Sequence, residues 1–348
     1  MSFLWFLIVV GLSIFVHELG HYLAARLQGV RVPVFSIGFG PPLVRFHWAG
    51  TEWRIALIPL GGFALIEGMA EEYEGGEPVG FARLSLLGKT LVLLGGVLMN
   101  LLLAWLLMAL VFHVQGIPTP IETEAQIIEV LPGSLAEKAG LKPGDVVVAI
   151  DGQPLKHFTD LGAIKKKPGP HRLTVRRGDR TLTLVLVWTP EAKQIGVRYG
   201  PRVVMRRVGL IEGFFAAVGL TFRLLPQMAK SLVLGILGVL AGRPPADLVG
   251  PVGLVSVTAK AAAQGWVALA NLTAMINLSL ALFNLLPIPG LDGGRLLLLY
   301  LRRLLGGRLT PQMEAMINAA GLFFVFLLIL MVTFQDVLRL LGGQGGGP

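Results

Sequence analysis

The chain has 348 residues, of which 54% are hydrophobic and only 15% are charged, and its mean hydropathy is +0.71. Soluble domains carry about a quarter charged residues, so this composition excludes an ordinary soluble protein and indicates a chain that lies in a bilayer. The formal net charge of +9 does not indicate nucleic-acid binding, because no basic block with interleaved aromatic residues is present and cations that flank apolar spans are ordinary membrane anchors.

Four apolar stretches are long enough for transmembrane helices, which need about 20 mainly apolar residues each. In chain order they fall within residues 1–28, 89–114, 265–294 and 313–336. The first lacks the basic start and the small-residue cleavage site of a signal peptide, so we interpret it as a retained span. The third ends in NLLPIPGLDGGR, whose prolines and glycines break a helix.

The loop at residues 29–88 contains a predicted membrane-associated β element. Its sequence TEWRIALIPLGGFALIEG has the character of two strands around a Gly-Gly pair. An exposed strand edge there could supply hydrogen bonds to an extended peptide segment. The alternative is an amphipathic hairpin that only rests on the membrane.

Residues 121–199 are predicted to form a small β-rich domain. The runs AQIIEVL, DVVVAID, RLTVRRG and TLTLVLV alternate as strands do, with turn signals between them. Within this domain, VLPGSLAEKAGLKPGDVVVAIDGQPL resembles the PDZ domain of membrane-associated and periplasmic proteases. PDZ domains bind extended peptide or protein tails as an added strand, and the resemblance implies the same here.

Residues 200–264 contain a fifth apolar stretch, at 211–241, which is interrupted by Glu212, Arg223, Pro226 and Lys230. Charges are costly at the bilayer centre, so an interfacial or elbow helix is favoured and a fifth span is the alternative. The predicted fold is therefore an α-helical polytopic membrane protein with about four transmembrane helices, a β-hairpin element and one PDZ-like α+β domain.

Basic residues in the loops predict the orientation of the chain. The loops after the first and third spans are rich in arginine, whereas residues 1–25 contain no lysine or arginine. By the positive-inside rule, these two loops lie in the cytoplasm. Both termini and the PDZ-like domain are then extracytoplasmic.

The sequence HELGH at residues 17–21 predicts a metal site in the first span. His17 and His21 are four residues apart, so on a helix both imidazoles can converge on one ion, with Glu18 beside it. In HExxH metalloproteases the imidazoles bind zinc and the glutamate takes a proton from the bound water. The alternative is a chance match or a polar patch for helix packing. Three ionisable residues in an apolar span cost several kcal/mol unless they meet partners, metal or water, which favours the metal site.

A third ligand is expected, because catalytic zinc keeps three protein ligands and one open position. The chain has no cysteine, so that ligand must be His, Asp or Glu. Asp292 follows the third span through the helix-breaking sequence, at the cytoplasmic end where His21 also lies, and is the predicted ligand. A helix cap is its alternative role, and iron or cobalt could occupy the same ligand set as zinc.

HELGH near the N-terminus, the PDZ-like insert and NLLPIPGLDGG near the C-terminus together resemble the site-2 protease family of intramembrane metalloproteases, in particular the bacterial regulator-of-sigma-E protease group. The sequences VFSIGFGPPL, IPLGGFALIEG, MNLLLA and GPVGL extend the resemblance over essentially the whole chain. The chain departs from the family in having Gly96 and Val97 where a proline is common shortly before Asn100. Only one PDZ-like domain is legible, whereas some members have two.

The resemblance implies a zinc ion bound by His17, His21 and Asp292, with Glu18 as the catalytic base. It also implies substrate-binding roles in two segments, for residues Asn284, Pro287, Pro289, Gly61, Gly62 and Phe63. Without the family, Asn284 could equally hydrogen-bond a substrate backbone or another helix.

The implied function is hydrolysis of peptide bonds within or near the transmembrane segment of single-span membrane proteins, after an earlier cut, in regulated intramembrane proteolysis. The implied substrates are anti-sigma factors or remnant signal peptides, and the implied location is the inner membrane with the active site toward the cytoplasm. The alternative function is a non-enzymatic membrane PDZ scaffold with a structural metal site, although structural zinc usually has four protein ligands. A metal transporter would need further ionisable residues along the spans.

Overall fold

The computed structural model describes residues 2–69, 78–189, 192, 194–242, 249–305 and 308–341. The chain is mostly helical and divides into two compact units. The first unit comprises Met1–Val111 and Leu210–Pro348, and the second comprises Phe112–Gly209. The second unit is longer at both ends than the predicted domain at 121–199.

The α-helices are, in chain order, α1 (Ser2–Leu27), α2 (Leu86–Gln115), α3 (Leu135–Lys138), α4 (Leu210–Leu240), α5 (Pro251–Gln264), α6 (Trp266–Asn284), α7 (Asp292–Leu304) and α8 (Pro311–Leu341). Within the described residues, five of them, α1, α2, α4, α6 and α8, are long and apolar enough to cross a membrane. The chain is therefore a multi-pass membrane protein, with one more candidate span than the four that the sequence predicted.

The additional candidate span is α4, for which the sequence favoured an interfacial or elbow helix. The helix is continuous from Leu210 to Leu240 with Pro226 inside it. Its first half packs against α2, where a Cβ at Gly213 would lie 3.0 Å from the carbonyl oxygen of Ala109. The indole N–H of Trp105 donates to Thr221 Oγ1 at 3.1 Å. These contacts place the first half of α4 beside α2.

Helices α1 and α2 approach each other closely at two glycines. A Cβ at Gly20 would collide with the backbone carbonyl of Gly95, and a Cβ at Gly95 would collide with that of Gly20. Small residues let two membrane helices bring their backbones into contact. This crossing places the HELGH sequence against α2.

The predicted β element consists of two strands, β1 (Val34–Trp48) and β2 (Thr51–Leu65), paired antiparallel. Ala49 and Gly50 join them with φ values of 51° and 76°, the positive values that a tight two-residue hairpin turn requires. Residues 34–37 have register partners at 52–55 and also at 62–65. The end of β2 therefore folds back beside the start of β1, next to α1.

The second unit is a six-stranded antiparallel sheet. Its strands are β3 (Ile117–Val130), β4 (Val146–Ile150), β5 (Gln153–Pro154), β6 (Gly169–Arg177), β7 (Arg180–Trp188) and β8 (Val197–Arg206). The order is β7-β6-β4-β3-β8, with β5 paired to β4. A 3-10 helix, Phe158–Lys166, packs on this sheet, and the unit has its own buried core that includes Ile127, Leu161, Leu173 and Leu186.

Candidate active site

Three predicted ligand side chains meet in the first unit. His17 Nε2 and His21 Nε2 lie 3.2 Å apart on α1. The Oδ2 atom of Asp292, the first residue of α7, lies 3.2 Å from His17 Nε2 and 3.4 Å from His21 Nε2. The structure therefore brings together residues separated by most of the chain length.

The geometry of these three atoms fits a bound zinc ion. In a tetrahedral site with ligand atoms about 2.0–2.1 Å from the ion, neighbouring ligand atoms lie about 3.3–3.4 Å apart. The three observed separations are close to this edge length. Asp292 Oδ2 is buried and has no hydrogen-bond partner among the described residues, which is costly for a carboxylate oxygen that faces no cation. Two imidazoles and a carboxylate are also the donors that zinc accepts.

The backbone around Asp292 explains how this carboxylate reaches the site. Helix α6 ends at Asn284, and α7 begins at Asp292 with Leu291 as its N-cap. A Cβ at Gly293 would lie 2.5 Å from the carbonyl carbon of Leu285, so the chain can double back only because glycine follows Asp292. The carboxylate faces the imidazoles rather than capping its own helix.

Helix α2 supplies the surroundings of both imidazoles. His21 Nδ1 lies 2.8 Å from the carbonyl oxygen of Val92, to which it donates when Nε2 binds a metal. Asn100 lies beside the other ring, with its amide nitrogen 3.3 Å from His17 Nδ1. A Cβ at Gly96 would lie 2.5 Å from His21 Nε2 and 2.6 Å from His17 Cε1, so this position has room only for glycine.

Glu18 faces the end of β2. Its Oε2 accepts a hydrogen bond of 3.1 Å from the backbone N–H of Ala64. Gly62 lies equally close to α1, because a Cβ there would be 2.9 Å from Ile14 and 3.2 Å from Glu18. The carboxylate is therefore held between the histidines and a strand.

A cavity of about 250 Å³ opens onto the three ligand residues and Glu18. Its remaining lining comes from β2, from the segment that follows it and from the region between α6 and α7: Gly62, Phe63, Ala64, Ile66, Met69, Asn284, Gly290, Leu291 and Arg295. The site is therefore a chamber with a strand on one side and a broken helix on the other.

Three of the predicted substrate-binding residues, Asn284, Gly62 and Phe63, line this cavity. The other three do not. Gly61 has a φ of +123° and lies under the ring of Phe39. Pro289 packs against Gly321 of α8, and Pro287 is exposed. The two prolines shape the break between α6 and α7 without forming the cavity wall.

Sequence reasoning did not assign a site role to three residues that the structure places there. Arg295 belongs to the arginine-rich segment after the third predicted span, and it lines the cavity. Ala64 carries no functional group, and only its backbone N–H reaches Glu18. The missing proline before Asn100 weakened the case for a role of this residue, although its position in an otherwise apolar span is a signal that could have found it.

A model of peptidase family M50 matches residues 5–328. The "Putative zinc metalloprotease Cj1068" of Campylobacter jejuni is 30% identical, over 98% of this chain and 94% of that protein. The "Putative zinc metalloprotease all3971" of Nostoc is 32% identical, over 98% and 97% of the two chains. The "Probable membrane metalloprotease ARASP2, chloroplastic" of Arabidopsis thaliana is 32% identical, over 94% of this chain and 78% of that protein. The chain therefore belongs to peptidase family M50, the site-2 proteases, and is a membrane metalloprotease.

Proposed function

We propose that this chain is a zinc endopeptidase that hydrolyses peptide bonds within or near the transmembrane segments of single-span membrane proteins. The observation that carries the proposal is the convergence of His17, His21 and Asp292 at 3.2–3.4 Å, with Glu18 on the same cavity. The zinc identity is supported by the donor set and by the names of the similar proteins.

His17, His21 and Asp292 would hold the zinc ion, which would supply Lewis acidity toward the scissile carbonyl and would make a bound water molecule easier to deprotonate. Glu18 acts as the general base and then as the general acid. Its carboxylate takes one proton from the attacking water and then delivers a proton to the amine nitrogen that leaves when the C–N bond breaks. His17, His21 and Asp292 hold their positions throughout.

The substrate segment must be extended before it can be cut, because a transmembrane helix hides its amide bonds in its own hydrogen-bond ladder. Residues 62–65 pair on one side with residues 34–37, and the Ala64 N–H on the other side points to Glu18. An unwound segment added along this edge would take the Ala64 N–H with one of its carbonyls and release Glu18 toward the water. Asn284 lines the same cavity, which supports its proposed role of hydrogen-bonding the substrate backbone.

The exposed surface of the β1–β2 hairpin supports contact with lipid. Its apolar side chains are exposed, among them Phe39, Leu43, Phe46, Trp48 and Leu57. A soluble surface rarely shows so many together, so the lipid bilayer is the partner that we propose for this face.

The finer assignments follow the resemblance to the regulator-of-sigma-E protease group. We propose anti-sigma factors or remnant signal peptides as substrates, in regulated intramembrane proteolysis at the inner membrane. The second unit would be the single PDZ-like domain, extracytoplasmic like both termini, and it would bind peptide or protein tails. Among the described residues its antiparallel sheet ends at β8, which is compatible with strand addition.

A test of this function uses the purified protein reconstituted with a single-span substrate. Glu18→Gln should keep the bound metal and lower cleavage by about 100-fold or more. His17→Ala and Asp292→Ala should lose both metal and cleavage, and a chelator should inhibit the wild type. A wild-type protein without metal, or undiminished cleavage by Glu18→Gln, would overturn the proposal. A wild-type protein that binds metal but does not cleave the substrate is the result that a membrane scaffold predicts.

A further inference from the structure

Asn100 is a fully buried amide next to a metal-binding imidazole. Its amide nitrogen lies 3.3 Å from His17 Nδ1, and its Oδ1 has no hydrogen-bond partner among the described residues. The two ends of an amide side chain have nearly the same shape, so the hydrogen-bond network decides which end faces a neighbour. The tautomer of the neutral His17 ring therefore determines the orientation of Asn100.

The tautomer of His17 follows from what its other nitrogen faces. Nε2 points to Asp292 Oδ2 and His21 Nε2, the two other predicted ligand atoms. To bind a cation, Nε2 must present a lone pair, and the proton of the neutral ring is then on Nδ1. An Nδ1–H group needs an acceptor, which an amide nitrogen cannot be. Turning the amide end for end places Oδ1 on Nδ1–H, and the NH2 group then takes the position that Oδ1 had.

We propose that Asn100 is a positioning residue of the metal site, whose side-chain carbonyl accepts a hydrogen bond from His17 Nδ1–H. Val92 does the same for His21 with its backbone carbonyl, at 2.8 Å. Helix α2 thus supplies one acceptor to each imidazole and holds both rings with Nε2 toward Asp292. This inference rests on the proposed metal site, and it assigns to α2 a role in metal affinity.

Asn277 provides a matched comparison. It is also fully buried and also bonds α1, but its amide donates to Ser13 Oγ at 2.9 Å and reaches no imidazole. If a buried asparagine served only to hold helices together, replacing Asn100 or Asn277 would have the same consequences.

The experiment measures the Zn²⁺ affinity of the full-length protein in detergent by chelator competition, and the visible absorption of its Co²⁺ form. The variants are Asn100→Leu, Asn100→Asp, Asn100→Ser and Asn277→Leu. Asn100→Leu should bind Zn²⁺ on the order of 10–100-fold more weakly and alter the Co²⁺ spectrum. Asn100→Asp keeps an acceptor and should stay within about threefold of the wild type. Asn277→Leu should bind as the wild type does.

Wild-type affinity in Asn100→Leu, or equal losses in Asn100→Leu and Asn277→Leu, would overturn the inference and leave the proposed protease intact. If Asn100→Leu does not fold, the comparison passes to Asn100→Ser, whose short hydroxyl cannot reach the ring. Equal affinities of the Asp and Ser variants would then refute the role of Asn100. A wild-type protein that binds no metal would instead refute the proposed function itself.

Discussion

Glu18 Oε2 and the backbone nitrogen of Ala64 are 3.1 Å apart, so the acidic side chain of the HELGH sequence is hydrogen-bonded to the end of a β-strand. The bond links α1, which carries the proposed base, to the segment at 62–65 that is proposed to receive substrate. In the proposed mechanism, a substrate carbonyl that accepts the Ala64 N–H replaces Glu18 as its acceptor, so substrate binding at this edge frees the carboxylate.

Ala64→Pro tests the exchange directly, because proline removes the N–H and is tolerated on a strand edge whose N–H faces outward. We expect cleavage of a single-span substrate to fall roughly threefold to tenfold, the value of about one net hydrogen bond. Cleavage of a short unstructured peptide should fall less. Ala64→Val keeps the N–H and is the control. If cleavage of the single-span substrate and of the short peptide fell equally, the strand edge would have no special role in binding the transmembrane substrate.

Gly96→Ala should weaken metal binding although it replaces none of the three ligand residues. The new Cβ would lie 2.5 Å from His21 Nε2 and 2.6 Å from His17 Cε1, so one ring or one helix must move. We expect Zn²⁺ affinity to fall on the order of 10–100-fold, as for other residues that support metal ligands. Gly11→Ala is the control, since a Cβ at Gly11 meets no atom within 4 Å. An unchanged Zn²⁺ affinity in Gly96→Ala would mean that α1 and α2 lie farther apart at this position than the structure has them.

These two predictions show where sequence reasoning stops. The ligand spacing of His17 and His21 follows from helix geometry, and Asp292 follows from the need for a third ligand and from its place after a helix-breaking sequence at the end of a span. The contacts of Gly96 and Asn100 with the imidazoles depend on how closely two helices cross, which is set at Gly20 and Gly95. Hydropathy carries no information about that distance.

The strands show the same limit. Alternation predicted the runs that became β3, β4, β6 and β7, because each has one face on the core of the second unit. It did not predict β8, where Gly200 and Pro201 interrupt a run that still pairs with β3 along its length. Likewise, α4 is one helix from Leu210 to Leu240 despite its charges, and α2 packs against its first half. In both cases the element is continuous although its local sequence is interrupted.

Asp336 caps a helix to which it does not belong. Its two carboxylate oxygens accept from the N–H groups of Gly250 at 3.3 Å and Gly253 at 2.7 Å, at the start of α5. The N-cap Gly250 has no side chain to do this. Asp336→Ala leaves two buried N–H groups without their acceptor and should lower the free energy of unfolding by about 1–3 kcal/mol. Thermal unfolding in detergent measures the loss, with the exposed Asp179→Ala as control. A melting temperature equal to that of the control would contradict the capping role.

His171 makes the stability of the second unit depend on pH. Its Nδ1 lies 2.8 Å from Asp151 Oδ2 and its Nε2 lies 2.8 Å from the carbonyl oxygen of Lys167. Both partners are acceptors, so the ring uses both nitrogens as donors only when it is protonated. Burial lowers the pKa of His171, but the bonds to Lys167 and Asp151 outweigh it and raise the pKa above the ordinary value of 6.5. The bond from His171 also lowers the pKa of Asp151.

A raised folded-state pKa gives stability that is fully present below the unfolded-state value of 6.5 and is lost as the pH rises through the folded-state value. We therefore expect the melting temperature of residues 112–209 to decline above pH 6.5, by about 4–8 °C for each 1 kcal/mol lost. His171→Gln, which cannot carry the proton, should start lower and lose this decline. His157→Gln, at a more exposed histidine of the same unit, should keep it. Parallel curves for the wild type and His171→Gln would show that the charged ring does not stabilise this unit.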